Sequence, residues 1–238
     1  MLKHFICACL VVSLVSCTPA ELQKVLDTVA QTTEQLTSED IGNGLKEALQ
    51  IGISKGADQL SVTDGYFKSQ YKILLPPEAR KVTEKLSKIP GFTQVEDIIL
   101  EKINRGAEDA ATKAKPIFVN AIKSMTFSDA MNILMGEKDA ATTYLHGATY
   151  NDLYGEFTPV ITESLDKFNA RQYWTDAVTA YNKIPFVEKA NPDLGDYVTS
   201  EALKGLFSMV EKEELNIRSN VAARTSDLLK KVFAKQDK

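Results

Sequence analysis

Residues 197–217 read YVTSEALKGLFSMVEKEELNI, and their periodicity decides the fold. Leu203, Leu206, Phe207, Val210 and Ile217 recur at three- and four-residue steps, while Glu201, Lys204, Ser208, Glu211 and Lys212 fill the other side. Such spacing lines the apolar side chains along one stripe of an α-helix. Glu214 falls on the same stripe and reads as a break in it. A second stripe runs through Val95, Ile98, Ile99, Ile103, Ala107, Ala110, Ala111 and Ala114, and Pro116 kinks or ends it.

Working outward, the same period predicts helices over 19–35, 38–60, 77–88, 116–125, 128–134, 139–145, 150–168, 171–183 and 222–234. Pro19 and Pro77 stand where a first helical turn tolerates proline. Ser38 and Ser128 are candidate N-caps, each followed by an acidic residue. Pro90-Gly91, Gly136 and Asn191-Pro192 mark turns. No stretch alternates apolar and polar residues as a half-buried strand would. The expected architecture is all-α, a single multi-helix, bundle-like domain over 38–238. Gly42, Gly44, Gly52 and Gly56 lie inside one predicted helix. Each costs about 1 kcal/mol of propensity relative to alanine, which points to close helix packing along a Gly52/Gly56 seam or to an unwound segment at a cavity.

The chain has 238 residues, 44% hydrophobic and 25% charged, with a formal net charge of −4; these proportions exclude disordered and multi-span membrane classes. Cys7, Cys9 and Cys17 are confined to the first seventeen residues beside His4, and beyond them the only histidine is His146. Zinc sites, disulfide scaffolds, thiol nucleophiles and di-iron bundles are therefore excluded from the folded part. No metal and no cofactor is expected. The acidic balance and scattered basic residues argue against nucleic acid.

Lys3 and the apolar run from Phe5 to Val15 have the make-up of a signal peptide, too short to span a bilayer. The run ends in Leu14-Val15-Ser16-Cys17, which resembles the lipobox of bacterial lipoproteins. That likeness implies a cleaved segment over 1–16, lipid attachment at Cys17, and a lipidated N-terminus with a tether or first helix over 17–37. Two or three acyl chains amount to a lasting membrane anchor. Thr18 stands where an inner-membrane retention signal would often place aspartate, and no acidic cluster follows. The expected address is the cell envelope, on the periplasm-facing leaflet of the outer membrane.

No Walker A loop, G-x-S-x-G elbow or H-E-x-x-H pair is present. Ser69-Gln70-Tyr71-Lys72 and Ser164-Leu165-Asp166-Lys167 fit S-x-x-K but lack the K-T-G and S-D-N partners. The acidic runs at Glu96-Asp97, Glu108-Asp109 and 211–214 read as solvated faces, His146 as a residue at a helix end, and Trp174 as core. Asn104, Arg105 and Glu108 fall at i, i+1 and i+4 on an Ala- and Ile-rich helix, so Asn104 and Glu108 share a face beside the apolar stripe. Asp129 and Asn132 repeat this at i, i+3, and Arg218 follows the apolar face of the C-terminal helix. These six either pair internally, since an unpaired buried polar group costs about 1–3 kcal/mol, or line a ligand-binding pocket.

Several blocks together carry a resemblance. They are Asp40-Ile41, Gly44 to Leu49, Asn104 to Ala110, Met125 to Ala130 continuing through Ile133 to Gly136 and Ala140 to Leu145, and Gly205-Leu206-Phe207 leading to Glu213-Glu214, Ile217-Arg218 and Arg224. In order and over about 40–233, they resemble the bacterial family called domain of unknown function 4197. This chain has Gly106 where the family pattern has alanine and Val221 where it has proline. The resemblance implies a helical, exported or lipid-anchored protein and no particular activity. The expected function is a non-catalytic binding or scaffolding module for a small molecule, lipid or envelope protein. The alternatives are an envelope hydrolase using a carboxylate pair such as Glu108 and Asp129, and a purely structural oligomer.

Overall fold

The computed structural model describes residues 36–76, 79–80, 95–167, 169–183, 185–186, 189, 191 and 193–234. The signal-peptide and lipobox residues, the predicted 19–35 helix, most of the 77–88 helix and Pro90-Gly91 lie outside them. Among the described residues there are eight α-helices and no strand: α1 Ser38–Leu60, α2 Val95–Ala111, α3 Ala114–Ser124, α4 Phe127–Met135, α5 Ala140–Asp166, α6 Ala170–Tyr181, α7 Leu194–Ser219 and α8 Asp227–Phe233. The protein is all-α.

Helices α5 and α7, the two longest, pack on each other; α2 and α3 lie against α5, and α1 lies against α7. Leu145, Thr149, Leu153, Phe157, Ile161 and Leu165 make one four-residue stripe on α5, all buried. That stripe explains a departure from the sequence reading. The expected helices 139–145 and 150–168 are one, because the buried face runs on past Gly147, where the helix surface is open. Pro159 sits within it, and the neighbouring Thr158 hydroxyl donates to the Tyr154 carbonyl.

Helix α1 meets α7 and α8 through its glycines. A Cβ at Gly44 would lie 2.6 Å from Val232 Cγ2, at Gly56 2.9 Å from Met209 Cγ, and at Gly52 3.4 Å from Glu213 Cβ. The seam is close packing. The cost of three glycines is offset by burial of Leu45, Leu49 and Ile53, each contributing about 1.5–3 kcal/mol.

Helix ends differ from expectation in detail. The caps of α1 and α4 are Thr37 and Thr126 rather than Ser38 and Ser128, each in a capping box with the aspartate three residues on, Asp40 or Asp129. The aspartate must stand at the third helical position to reach back, and this selects the threonine. Pro116 falls in the first turn of α3, where its missing N–H removes no helical bond. The expected 222–234 helix splits into a 3-10 turn, Val221–Ala223, and α8, capped by Ser226. After α1 the chain turns through 61–71 and has no regular structure over 72–76.

Candidate functional site

The irregular segment 61–76 has backbone polar groups outside any helical ladder, and Asn104 and Glu108 of α2 supply partners to three of its residues. Ile73 N–H donates to Asn104 Oδ1 at 2.8 Å, and Asn104 Nδ2 donates to the Ile73 carbonyl at 2.9 Å and to that of Leu100 at 2.7 Å. One turn along, Glu108 Oε1 accepts from the backbone N–H groups of Tyr66 and Phe67 at 3.1 and 3.0 Å. Its Oε2 accepts from Arg105 Nη1 at 2.8 Å, and Arg105 Nη2 reaches Asp64 at 2.7 Å. The i, i+4 spacing of Asn104 and Glu108 therefore grips one stretch of backbone at two heights.

The gripped stretch is shaped to be held. Asp64 has φ of 71°, in the left-handed region that aspartate tolerates. At Gly65 a Cβ would stand 2.5 Å from the carbonyls of Gln59 and Leu60, so only glycine fits there. The fully buried Tyr66 donates to the Ala202 carbonyl at 2.7 Å, and its ring fills the notch left by Gly205. Burial, with the Glu108 charge beside it, raises the Tyr66 phenol well above its ordinary range. Hydrogen bonds to Glu108 and Asp64 raise Arg105, and Lys68 and then Arg105 hold Asp64 below the usual carboxylate range.

The model of the family described as protein of unknown function (DUF4197) matches residues 35–234. The chain belongs to that family. No curated protein and no solved structure matches it. Within this DUF4197 chain, Asn104, Arg105 and Glu108, from one of the blocks that carried the resemblance, are thus brought together as a clamp on the 64–73 segment.

Arg218 belongs to a second, separate cluster. Glu214 accepts from the Ala141 and Thr142 N–H groups at 3.0 and 2.8 Å and from the Thr142 hydroxyl. It supplies the first turn of α5 with the acceptor that its own N-cap, Asp139, does not give. Arg218 pairs with Glu214 at 2.8 Å and donates to the Ile133 carbonyl at the end of α4. Arg224 then donates to the carbonyls of Ile217 and Arg218 and covers the Phe233 ring. Three helix ends meet at two arginines and a glutamate.

Asp129 and Asn132 join neither cluster. Asp129 caps α4, its pKa lowered first by the Thr126 hydroxyl and then by the Thr126 backbone N–H. Both residues line an open cleft of about 420 Å³ with Glu137, Asp139 and Tyr144. Glu108 is bonded in the clamp and Asp129 caps α4, so the two carboxylates serve different arrangements. His146 lies inside α5 rather than at a helix end, its ring 4.9 Å from Tyr150 and 4.6 Å from Phe207. These rings border an open groove of about 350 Å³ with Lys204 and Glu211. Trp174 is buried and donates to the Asn191 carbonyl. Among the described residues no group of carboxylates, histidines and cysteines is arranged to hold a metal.

In the sequence Glu214 reads as a break in the stripe, Arg224 stands only among the residues of the family resemblance, and Asp64 and Tyr66 are not singled out. Glu213 and Glu214, expected on a solvated face, are buried, as is Glu108. The available signals were Glu214 and Arg218 at i, i+4 within an apolar stripe, and the Asp64-Gly65 turn dipeptide.

Proposed function

We propose that this chain is a lipid-anchored, non-catalytic binding or scaffolding module of the bacterial cell envelope, held at Cys17 on the periplasm-facing side of the outer membrane. The observation that carries the non-catalytic part is the fate of the buried charges. Glu108, Glu213, Glu214 and Arg224 are the buried charged residues among those described, and each is bonded internally. A general acid or base needs a lone pair or proton facing a cleft within reach of substrate. Both oxygens of Glu108 are already engaged, which weighs against the hydrolase alternative. Among the described residues, the recesses beside Phe127 and beside Asp129 are open grooves of about 320 and 420 Å³, suited to recognition across a surface. The anchor itself rests on the lipobox-like Leu14-Val15-Ser16-Cys17.

Two experiments test this reading. Fractionation of cells carrying Cys17→Ala should move the protein from the detergent-extracted membrane pellet to the soluble fraction; retention in the pellet would refute the anchor. The purified protein should leave peptidoglycan and phospholipid intact. Turnover that disappears in Asp129→Asn but persists in a folded Asn132→Ala would establish an enzyme instead.

A further inference from the structure

Helix α4 is amphipathic in the ordinary way on its inner side, where Ala130, Ile133 and Leu134 are buried. Its outer side is unusual. Phe127 is 45% exposed and Met135 65% exposed, with the half-buried Met131 between them. At i, i+4 and i+8 these three form one ridge along the whole helix, about 12 Å long, and Ser128 and Asn132 are the polar side chains next to it. An apolar ridge facing outward marks a contact surface.

Its place in the chain says which one. Phe127 shares a cleft with Ser38, Glu39, Gly42, Asn43 and Lys46, the first turns of α1. The start of α1, to which the segment from Cys17 is covalently joined, therefore borders this ridge. The stretch of roughly 20 residues from Cys17 to Thr37 spans at most about 70 Å, so an anchored Cys17 confines the ridge to that range of the lipid and raises its effective concentration there. No described helix is long and apolar enough to cross a membrane, and an aromatic with two flexible thioethers suits shallow insertion at an interface. The rim mixes Lys46 and Lys123 with Glu39, leaving the apolar side chains as the attraction.

We propose that the Phe127–Met131–Met135 ridge of α4 docks on the bilayer surface in which the Cys17 lipid is embedded. The proposal rests on the anchor reading above. The mature lipidated chain would hold no unmodified thiol, since Cys7 and Cys9 leave with the signal segment, so single nitroxide labels can be placed at Phe127→Cys, Met131→Cys and Met135→Cys. Glu163→Cys, exposed and about six turns along α5 from its start, is the control. With the full-length protein reconstituted in phosphatidylethanolamine–phosphatidylglycerol vesicles, the oxygen-to-nickel accessibility ratio should be several-fold higher at the ridge than at 163. A water-like ratio at all three ridge positions on lipidated protein would overturn the docking and leave the anchor standing. Dipolar broadening between copies at the ridge would assign it to self-association and also overturn the proposal. An unmodified Cys17 in the mass spectrum would sink both readings.

Discussion

Replacing Asn104 by leucine isolates what the clamp contributes. Asn104 is fully buried, and its amide is the partner of both the N–H and the carbonyl of Ile73, itself 2% exposed. Leucine fills a similar volume and removes both partners. Each of the two unsatisfied buried groups then costs about 1–3 kcal/mol, so the expected loss is about 2–6 kcal/mol. A domain of ordinary stability holds about 5–15 kcal/mol in all, so this is a large fraction. Urea unfolding followed by circular dichroism would read it as a lowered midpoint with an unchanged slope. The loss should be local first, with protease cleavage within 61–76 appearing before global unfolding. Pairing the change with Glu108→Gln in a double-mutant cycle should give a non-additive sum, because both side chains hold the same segment. A shift below about 1 kcal/mol, or strict additivity, would show that the segment is held by its Tyr66 anchor alone and that the clamp is incidental.

The α1 glycines separate by their neighbours: Gly44→Ala should lower the melting temperature because its Cβ meets Val232 Cγ2 at 2.6 Å, whereas Gly52→Ala, with 3.4 Å of room, should be neutral or raise it by the equivalent of up to about 1 kcal/mol. Glu214→Ala leaves the nearly buried Arg218 without its carboxylate and should cost about 3–5 kcal/mol in denaturant unfolding. Asp40, Asp64 and Asp129 are held below the ordinary carboxylate value of 3.8, so what they contribute is fully present above that pH and is lost as pH falls through their lower folded values; an acid titration of stability should turn down below 3.8, and less so in Thr126→Val. The Tyr154 hydroxyl donates to Asp196 and is pushed up to about 12, so its contribution is present below pH 10 and lost towards 12; ultraviolet titration should show a late phenol step that Tyr154→Phe removes.

The fold was legible where burial is periodic. The stripes on α2 and α7 are readable because each buried side chain recurs at helical spacing, and the long α5 is divided in the sequence because the region of His146 reads as a helix end. Helix stops set by partners distant in sequence could not be read. Nothing near Asp139 announces that the first turn of α5 takes its acceptor from Glu214, 72 residues or more away. Likewise Ile73 carries no local sign that its backbone is paired by a side chain 31 residues on. The polar positions were legible as positions, since Asn104, Glu108 and Arg218 beside apolar stripes had to be bonded. Their partners were not, because a backbone carbonyl or N–H leaves no trace in residue identity.

The two polar clusters answer one physical demand. A helical chain that folds an irregular stretch, 61–76, against its core has among the described residues no strand to complete the backbone bonds there. A buried asparagine can serve one residue's N–H and carbonyl together, and a glutamate can serve two successive N–H groups while an arginine neutralises it; the run Asn104-Arg105 to Glu108 supplies both devices within five residues. Glu214 does the same for a helix start and Arg218 and Arg224 for helix ends. Such groups tolerate little substitution, because each is matched in charge and geometry to backbone it cannot move. Blocks of family resemblance can therefore fall on residues that hold backbone, with no reaction behind them. By this reasoning the places to look for a binding role are the surfaces that the two clusters leave uncommitted: the outward ridge of α4 and the ring-lined groove between α5 and α7.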